Sequence, residues 1–203
     1  MQAMAQSMTR PSFFRRCRWL LMIAFLLGMG ILANGMYTHA KALLAQYLME
    51  VAFEEGRKQG HAARPWSWSD ARVTARIHLG EQSHYVFDDH AARNLAFGPG
   101  LMSMSDLLGS GGHSVVVAHR DTHFSNLDRL NTGDQIMVEH LSGTKSFTVI
   151  EVGVISAHDM SVLELDEQAL DGASALTLIS CYPFNTVKAD PSLRYAVRAI
   201  SSR

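Results

Sequence analysis

The chain has 203 residues, 47% of them hydrophobic, and a formal net charge of −1 at pH 7. That balance gives no reason to expect a nucleic-acid partner, because no basic cluster occurs beyond the first 18 residues. Two distant cysteines, Cys17 and Cys181, provide no disulfide framework, so the folded part must rely on its apolar core.

Arg10, Arg15, Arg16 and Arg18 stand before an uncharged apolar stretch, Trp19 to Ala33. Asn34, Gly35, Met36 and Tyr37 carry it to the roughly 20 residues that a bilayer crossing needs. The basic flank orients the arginines in the cytoplasm and places everything after about Tyr37 outside it. A cleaved signal peptide has the same basic and apolar regions, with Ala33 and Ala40 as possible cut sites. A retained anchor is the preferred reading, because Ala40, Leu43, Leu44, Tyr47, Leu48, Val51 and Ala52 continue one apolar face at helical spacing. Residues 1–18 are then a cytoplasmic tail, 19–37 a single membrane span, and 38–64 an amphipathic helix and linker.

The linker leaves through the polar run Glu54 to Gly60 and meets the domain at Pro65-Trp66-Ser67-Trp68. Residues 65–203 are long enough for one core, with no internal repeat. Their pattern is mostly strand-like. Arg72 to Leu79 alternates, Ser114 to Ala118 is a buried apolar run, and Gln135 to Glu139 with Lys145 to Val152 reads as a hairpin across Leu141 to Thr144. Ala175 to Ser180 and Leu193 to Ile200 are two later strands, and short helices are expected at Ser103 to Leu108 and Phe124 to Leu130. Short strands between Gly, Asp, Asn and Pro turns predict an all-β antiparallel sandwich or barrel.

Three side chains converge at strand ends in this layout: His119, Cys181 and Arg194. Alternation puts Leu176, Leu178 and Ser180 on one face and Thr177, Ile179 and Cys181 on the other. It likewise puts Leu193, Tyr195, Val197 and Ala199 on a core face and Arg194 opposite, so Cys181 and Arg194 share an outward groove. A thiol becomes a nucleophile as the thiolate, which a basic or cationic neighbour favours. Negative charge that then develops on an attacked carbonyl is stabilised by a guanidinium or backbone amide, and a histidine protonates the leaving amine. Each residue also has a plain reading: a free cysteine is commonly a small buried hydrophobe, His119 beside Arg120 and Asp121 fits a hydrogen-bonded turn, and Arg194 fits a solvated strand position. His113, His119 and His123 invite a metal reading, but His119 and His123 follow a strand and lack the glutamate of a zinc-protease helix.

The run Thr177-Leu178-Ile179-Ser180-Cys181 resembles the TLxTC signature of sortases, the membrane-anchored cysteine transpeptidases. Ala118 to Phe124, followed by Leu127, Leu130 and Gly133-Asp134, resembles the family's histidine segment, and Arg194 to Ala199 its final arginine strand. Arg93-Asn-Leu-Ala-Phe-Gly-Pro-Gly and Cys181-Tyr-Pro-Phe resemble, more narrowly, the Gram-negative group called class GN. Ala118 and Ser180 depart from the usual glycine and threonine.

The resemblance spans about Pro65 to Ile200 and implies a closed sortase β-barrel. It implies Cys181 as acyl-forming nucleophile, His119 as general acid and base, and Arg194 as the group that positions substrate and steadies the oxyanion. The implied partners are an exported protein carrying a C-terminal sorting signal and an amine acceptor. No metal or organic cofactor is implied. The implied location is the inner membrane, single-pass, with the catalytic domain in the periplasm. A non-catalytic exported barrel that binds a peptide or lipid, and a purely hydrolytic cysteine protease, are the competing classes. The acidic segment Ala157 to Ser174 is expected either to face substrate or to be a solvated surface.

Overall fold

The computed structural model describes residues 11–159 and 172–201. It opens with one long helix, α1 (Pro11–Gln59). The chain divides into two compact units, the first ending at Leu44 and the second covering Ala45–Arg203. In the first, Trp19, Leu20, Leu21, Phe25, Leu26, Ile31 and Leu32 are all exposed. Among the described residues, α1 is the one helix long and apolar enough to cross a membrane, with a mean hydropathy of 1.9 over its most apolar window.

The second unit begins with the last turns of α1, which are part of the folded domain. Met49, Ala52 and Phe53 are buried against Val73, Tyr85 and Phe87, with the Phe53 and Tyr85 rings 5.7 Å apart. The polar run read as the exit from this helix is still helical: Glu54, Glu55, Arg57 and Lys58 are exposed while Phe53 and Gly56 are buried. Gly60, in the left-handed region at φ +74°, ends it, as a residue without Cβ does most readily.

The rest is a closed barrel of eight strands in the order β1-β2-β3-β4-β7-β8-β6-β5. In chain order these are β1 (Val73–Leu79), β2 (Gln82–Phe87), β3 (Gly100–Leu101), β4 (His113–Val117), β5 (Gln135–His140), β6 (Gly143–Ser156), β7 (Ala175–Tyr182) and β8 (Asp190–Ser201). A short helix, α2 (Ala92–Leu95), lies between β2 and β3. Pairing of β5 with β1 completes the circle and leaves no free edge. Alternate residues fill the interior: Ala75, Ile77, Val86, Val116, Ile136, Val138, Phe147, Leu176, Leu178, Val197 and Ala199 form one buried cluster.

Two pairings are parallel, β2 with β3 and β4 with β7, where short strands and tight turns predicted an antiparallel arrangement. The β4–β7 pair is joined by a crossover long enough to return the chain to the same end of the sheet. The expected helix at Ser103 to Leu108 is absent, because its polar groups serve a turn: Asp106 Oδ2 accepts from the His113 backbone at 2.8 Å and Ser105 Oγ donates to the Met102 carbonyl. The expected helix at Phe124 to Leu130 shrinks to a single 3-10 turn, Leu127–Arg129. The β5–β6 hairpin turns on Leu141 and Ser142 alone, with His140 opposite Gly143. Most of the acidic segment Ala157 to Ser174 lies outside the described residues.

Candidate active site

Two of the three candidate side chains lie on neighbouring strands, Cys181 on β7 and Arg194 on β8, and His119 follows the end of β4. β4 and β7 are in parallel register from His113↔Ala175 to Val117↔Ile179, and Ala118 N donates onward to the Ile179 carbonyl at 3.2 Å. Two residues further along each chain stand His119 and Cys181. On its other side β7 pairs with β8, and Cys181 is directly opposite Arg194. Cys181 and Arg194 thus share a rung of the β7–β8 ladder, and His119 lies just past the end of β4, the strand on the other side of β7.

Alternation sets the direction of each. Ala118, Leu178 and Tyr195 belong to or pack on the interior cluster, so His119, Cys181 and Arg194, each an odd number of positions away, take the opposite face. His119 is exposed, and Cys181 and Arg194 are partly so. Directly after Cys181 the ladder with β8 slips, so that Tyr182 pairs with Asp190. Such a bulge next to a reactive residue re-aims its side chain and ends regular pairing. The Arg194 guanidinium is folded onto its own strand, donating to the carbonyls of Leu193 at 2.7 Å and Pro191 at 3.1 Å. Aromatic rings follow Cys181 in the chain: Tyr182 stacks on Tyr195 at 6.4 Å and Phe184 meets Tyr195 edge-on at 5.4 Å. Burial, then the nearby Asp128 and Tyr182, push the Tyr195 phenol up.

The other histidines of this region have separate duties. His113, at the far end of β4, bonds through Nε2 to Thr177 Oγ1 at 2.8 Å and helps fix the β4–β7 register. His123 stacks on His84, with ring centroids 5.5 Å apart and an interplanar angle of 19°. Burial, then the charges on His84 and His119, lower the His123 pKa to about 4, and burial lowers that of His84. Both rings are neutral at neutral pH, and their Nε2 atoms are buried without a hydrogen-bond partner. Among the described residues, no group of three or more His, Cys, Asp or Glu is placed to hold a metal ion. Asp121 accepts from Arg120 Nε at 3.0 Å. Arg120 itself, which sequence reasoning passed over as part of a turn, is buried.

A model of the sortase domain matches residues 76–201. The chain belongs to the sortase family. Among curated proteins, Sortase D of Bacillus subtilis (strain 168) is 29% identical to this sortase over 86 residues, which is 42% of this chain and 41% of that protein. The chain thus matches less than half the length of that relative. Sortase C-1 from Actinomyces oris shares 27% identity over 64% of this chain and 72% of its own, with a TM-score of 0.56. Streptococcus agalactiae sortase C1, solved with MTSET, shares 26% over 64% of this chain and 67% of its own, with a TM-score of 0.55. Sortase C from Clostridium perfringens SM101, at 18% identity, shares the fold over 81% of this chain and 90% of its own, with a TM-score of 0.57.

Proposed function

We propose that this sortase is a membrane-anchored cysteine transpeptidase that uses Cys181, His119 and Arg194. The observation that carries the reading is this: in a chain of this family, Cys181 on β7 pairs with Arg194 on β8, and His119 follows β4, the strand that runs parallel beside β7. Cys181 gives its thiol proton to His119 and, as the thiolate, attacks a peptide carbonyl of a sorting signal, while Arg194, released from the Leu193 and Pro191 carbonyls, steadies the oxygen as it gains negative charge. The carbon–nitrogen bond breaks, His119 supplies the proton to the departing amine, and the acyl group remains on sulfur as a thioester. An acceptor amine then gives its proton to His119, attacks the thioester carbon and forms the new amide, returning the thiol.

The apolar helix in residues 19–37 is the proposed anchor, with the basic tail cytoplasmic and the barrel in the periplasm at the inner membrane. The proposed subgroup is class GN, supported by Arg93 to Gly100 and by Cys181-Tyr-Pro-Phe. The first of these segments joins the domain's parts: Gln46 Nε2 donates to the Phe97 carbonyl at 3.0 Å, and Trp66 meets Phe97 edge-on at 5.2 Å.

Intact mass spectrometry of the full chain in detergent, with a library of sorting-signal peptides and excess amine, tests the reading. An acyl adduct absent from Cys181→Ala, together with amine-linked peptide, supports it. Free acid as the sole product assigns a hydrolase instead, and no adduct with any peptide favours a binding barrel.

A further inference from the structure

Arg120 follows His119 directly, and only 5% of its side chain is exposed. Its guanidinium does not reach for solvent but for the loop that leaves Cys181. Nη1 donates to the Pro183 carbonyl and, at 3.0 Å, to Thr186 Oγ1, while Nη2 donates to the Thr186 carbonyl at 2.7 Å. The remaining contact, Nε to Asp121 Oδ1 at 3.0 Å, stays within the loop that carries His119. Thr186 Oγ1 also lies 3.1 Å from the Pro183 carbonyl and 3.0 Å from that of Lys188, which ties the captured loop to itself.

The first residues of this loop have other ties, Tyr182 paired with Asp190 and Phe184 packed edge-on against Tyr195, but those that follow do not bury themselves. Asn185, Thr186, Val187 and Lys188 are exposed, and the ladder that guides β7 against β8 slips between Cys181 and Tyr182. Strand pairing therefore reaches one residue past Cys181, to Tyr182, and does not continue into the loop beyond it. Arg120 supplies the constraint there, from the residue adjoining His119. We propose that Arg120 is a positioning residue that sets Cys181 against His119 by clamping the loop after the cysteine to the loop after β4. The inference rests on the transpeptidase reading for the roles of Cys181 and His119, but not for the clamp itself.

The chemistry of the clamp is specific to a guanidinium. Its acceptors, two backbone carbonyls and a hydroxyl, diverge across a fork that a planar group with several fixed donors spans and a single ammonium does not. Lysine keeps the charge and loses the geometry, which separates positioning from simple electrostatics.

The test uses the full chain in detergent with Cys17→Ser, so that Cys181 is the sole thiol, and compares Arg120→Lys, Thr186→Val and the double variant. Three quantities are read: the thermal midpoint, the pH profile of Cys181 alkylation by iodoacetamide, and kcat and KM with peptide and amine. A nucleophile misplaced by about 1 Å loses up to about 100-fold in rate. Arg120→Lys is expected to lower kcat tenfold or more, with KM changed by about twofold at most, and to displace the alkylation profile. Thr186→Val is expected to shift both in the same sense by less, and the double variant to be no worse than Arg120→Lys alone. A lower thermal midpoint with wild-type kcat and alkylation profile overturns the proposal, leaving Arg120 a structural residue. If Arg120→Lys does not fold, a wild-type profile in Thr186→Val overturns it equally. If the unmodified active site forms no adduct with any peptide, the transpeptidase reading falls, while the alkylation profiles still decide the clamp.

Discussion

Ser180 Oγ donates a 3.0 Å hydrogen bond to the carbonyl of Ala118, so the residue before the candidate nucleophile is bonded to the residue before the candidate acid–base. These are the two positions at which the sequence departs from the usual sortase pattern. Both are buried, Ser180 at 2% exposure and Ala118 at 6%. Ser180→Ala removes this tie and is expected to cost about 1–2 kcal/mol of stability. Ser180→Thr keeps the hydroxyl and is expected to stay within about 1 kcal/mol of the wild type. Thermal melts of both variants, beside acyl-adduct rates, check this.

Removing the chemistry itself has larger effects. Cys181→Ala is expected to abolish the covalent adduct, and His119→Gln to lower turnover by about 10²–10⁴-fold, the span of general acid–base catalysis. Arg194→Lys keeps a cation but no planar fork, and is expected to lose about 10²-fold in kcat. Single-turnover mass spectrometry separates these variants from misfolded ones, provided their melting curves match the wild type.

The stacked pair His84 and His123 gives stability a pH dependence whose sign follows from the depressed pKa values. An unfolded histidine titrates near 6.5, whereas folded His123 titrates at about 4. The folded state thus binds fewer protons in this range, and the contribution is complete above about pH 6.5 and lost as pH falls through about 4. The melting temperature is expected to drop between those limits. His123→Gln is expected to flatten the part of the drop above pH 5, where ordinary carboxylates remain ionised. Calorimetric scans across pH provide the check.

Gly98 and Gly100 are placed where a side chain does not fit. A Cβ on Gly98 would lie 2.6 Å from the Tyr85 carbonyl oxygen and 3.0 Å from Met49 Cε, and one on Gly100 would run into the Asp89 backbone. Backbone cannot step aside as a side-chain tip does. Alanine at either position is expected to cost about 1–3 kcal/mol, read from denaturant unfolding.

The last turns of α1 belong to the domain core, which bears on how the chain can be shortened. A variant beginning at Ala45 keeps Met49, Ala52 and Phe53, all at most 3% exposed, whereas one beginning at His61 uncovers Val73 and Phe87. Loss of a buried aromatic alone costs about 3–5 kcal/mol. The shorter variant is therefore expected to melt at a much lower temperature or to aggregate.

Six of the eight strands and the placing of Cys181 beside Arg194 are legible in the sequence, because period-two alternation survives wherever one face is buried. β2 escapes because Gln82, Ser83 and His84 interrupt the pattern, and β3 because two residues carry no period at all. The parallel pairing of β4 with β7 is a long-range choice that neither strand records by itself. Arg120 escapes for another reason: its partners are mostly backbone carbonyls more than 60 residues away, and backbone acceptors leave no trace in composition. Conversely, the polar run Glu54 to Gln59 looked like a linker because only one side of the helix there is buried.

Because β4 and β7 run parallel, the segments that follow His119 and Cys181 emerge from the same rim of the barrel, while the crossover enters β7 at the opposite rim. Changes in length just where the chain enters β7 at Ser174 reach the far rim first and leave Cys181 opposite Arg194 in register. The two exit loops do not share this freedom, since Arg120 staples one to the other. A chimera that exchanges the loops after His119 and Cys181 together, as a matched cassette, should keep a working geometry, whereas exchanging either alone separates the guanidinium from its acceptors.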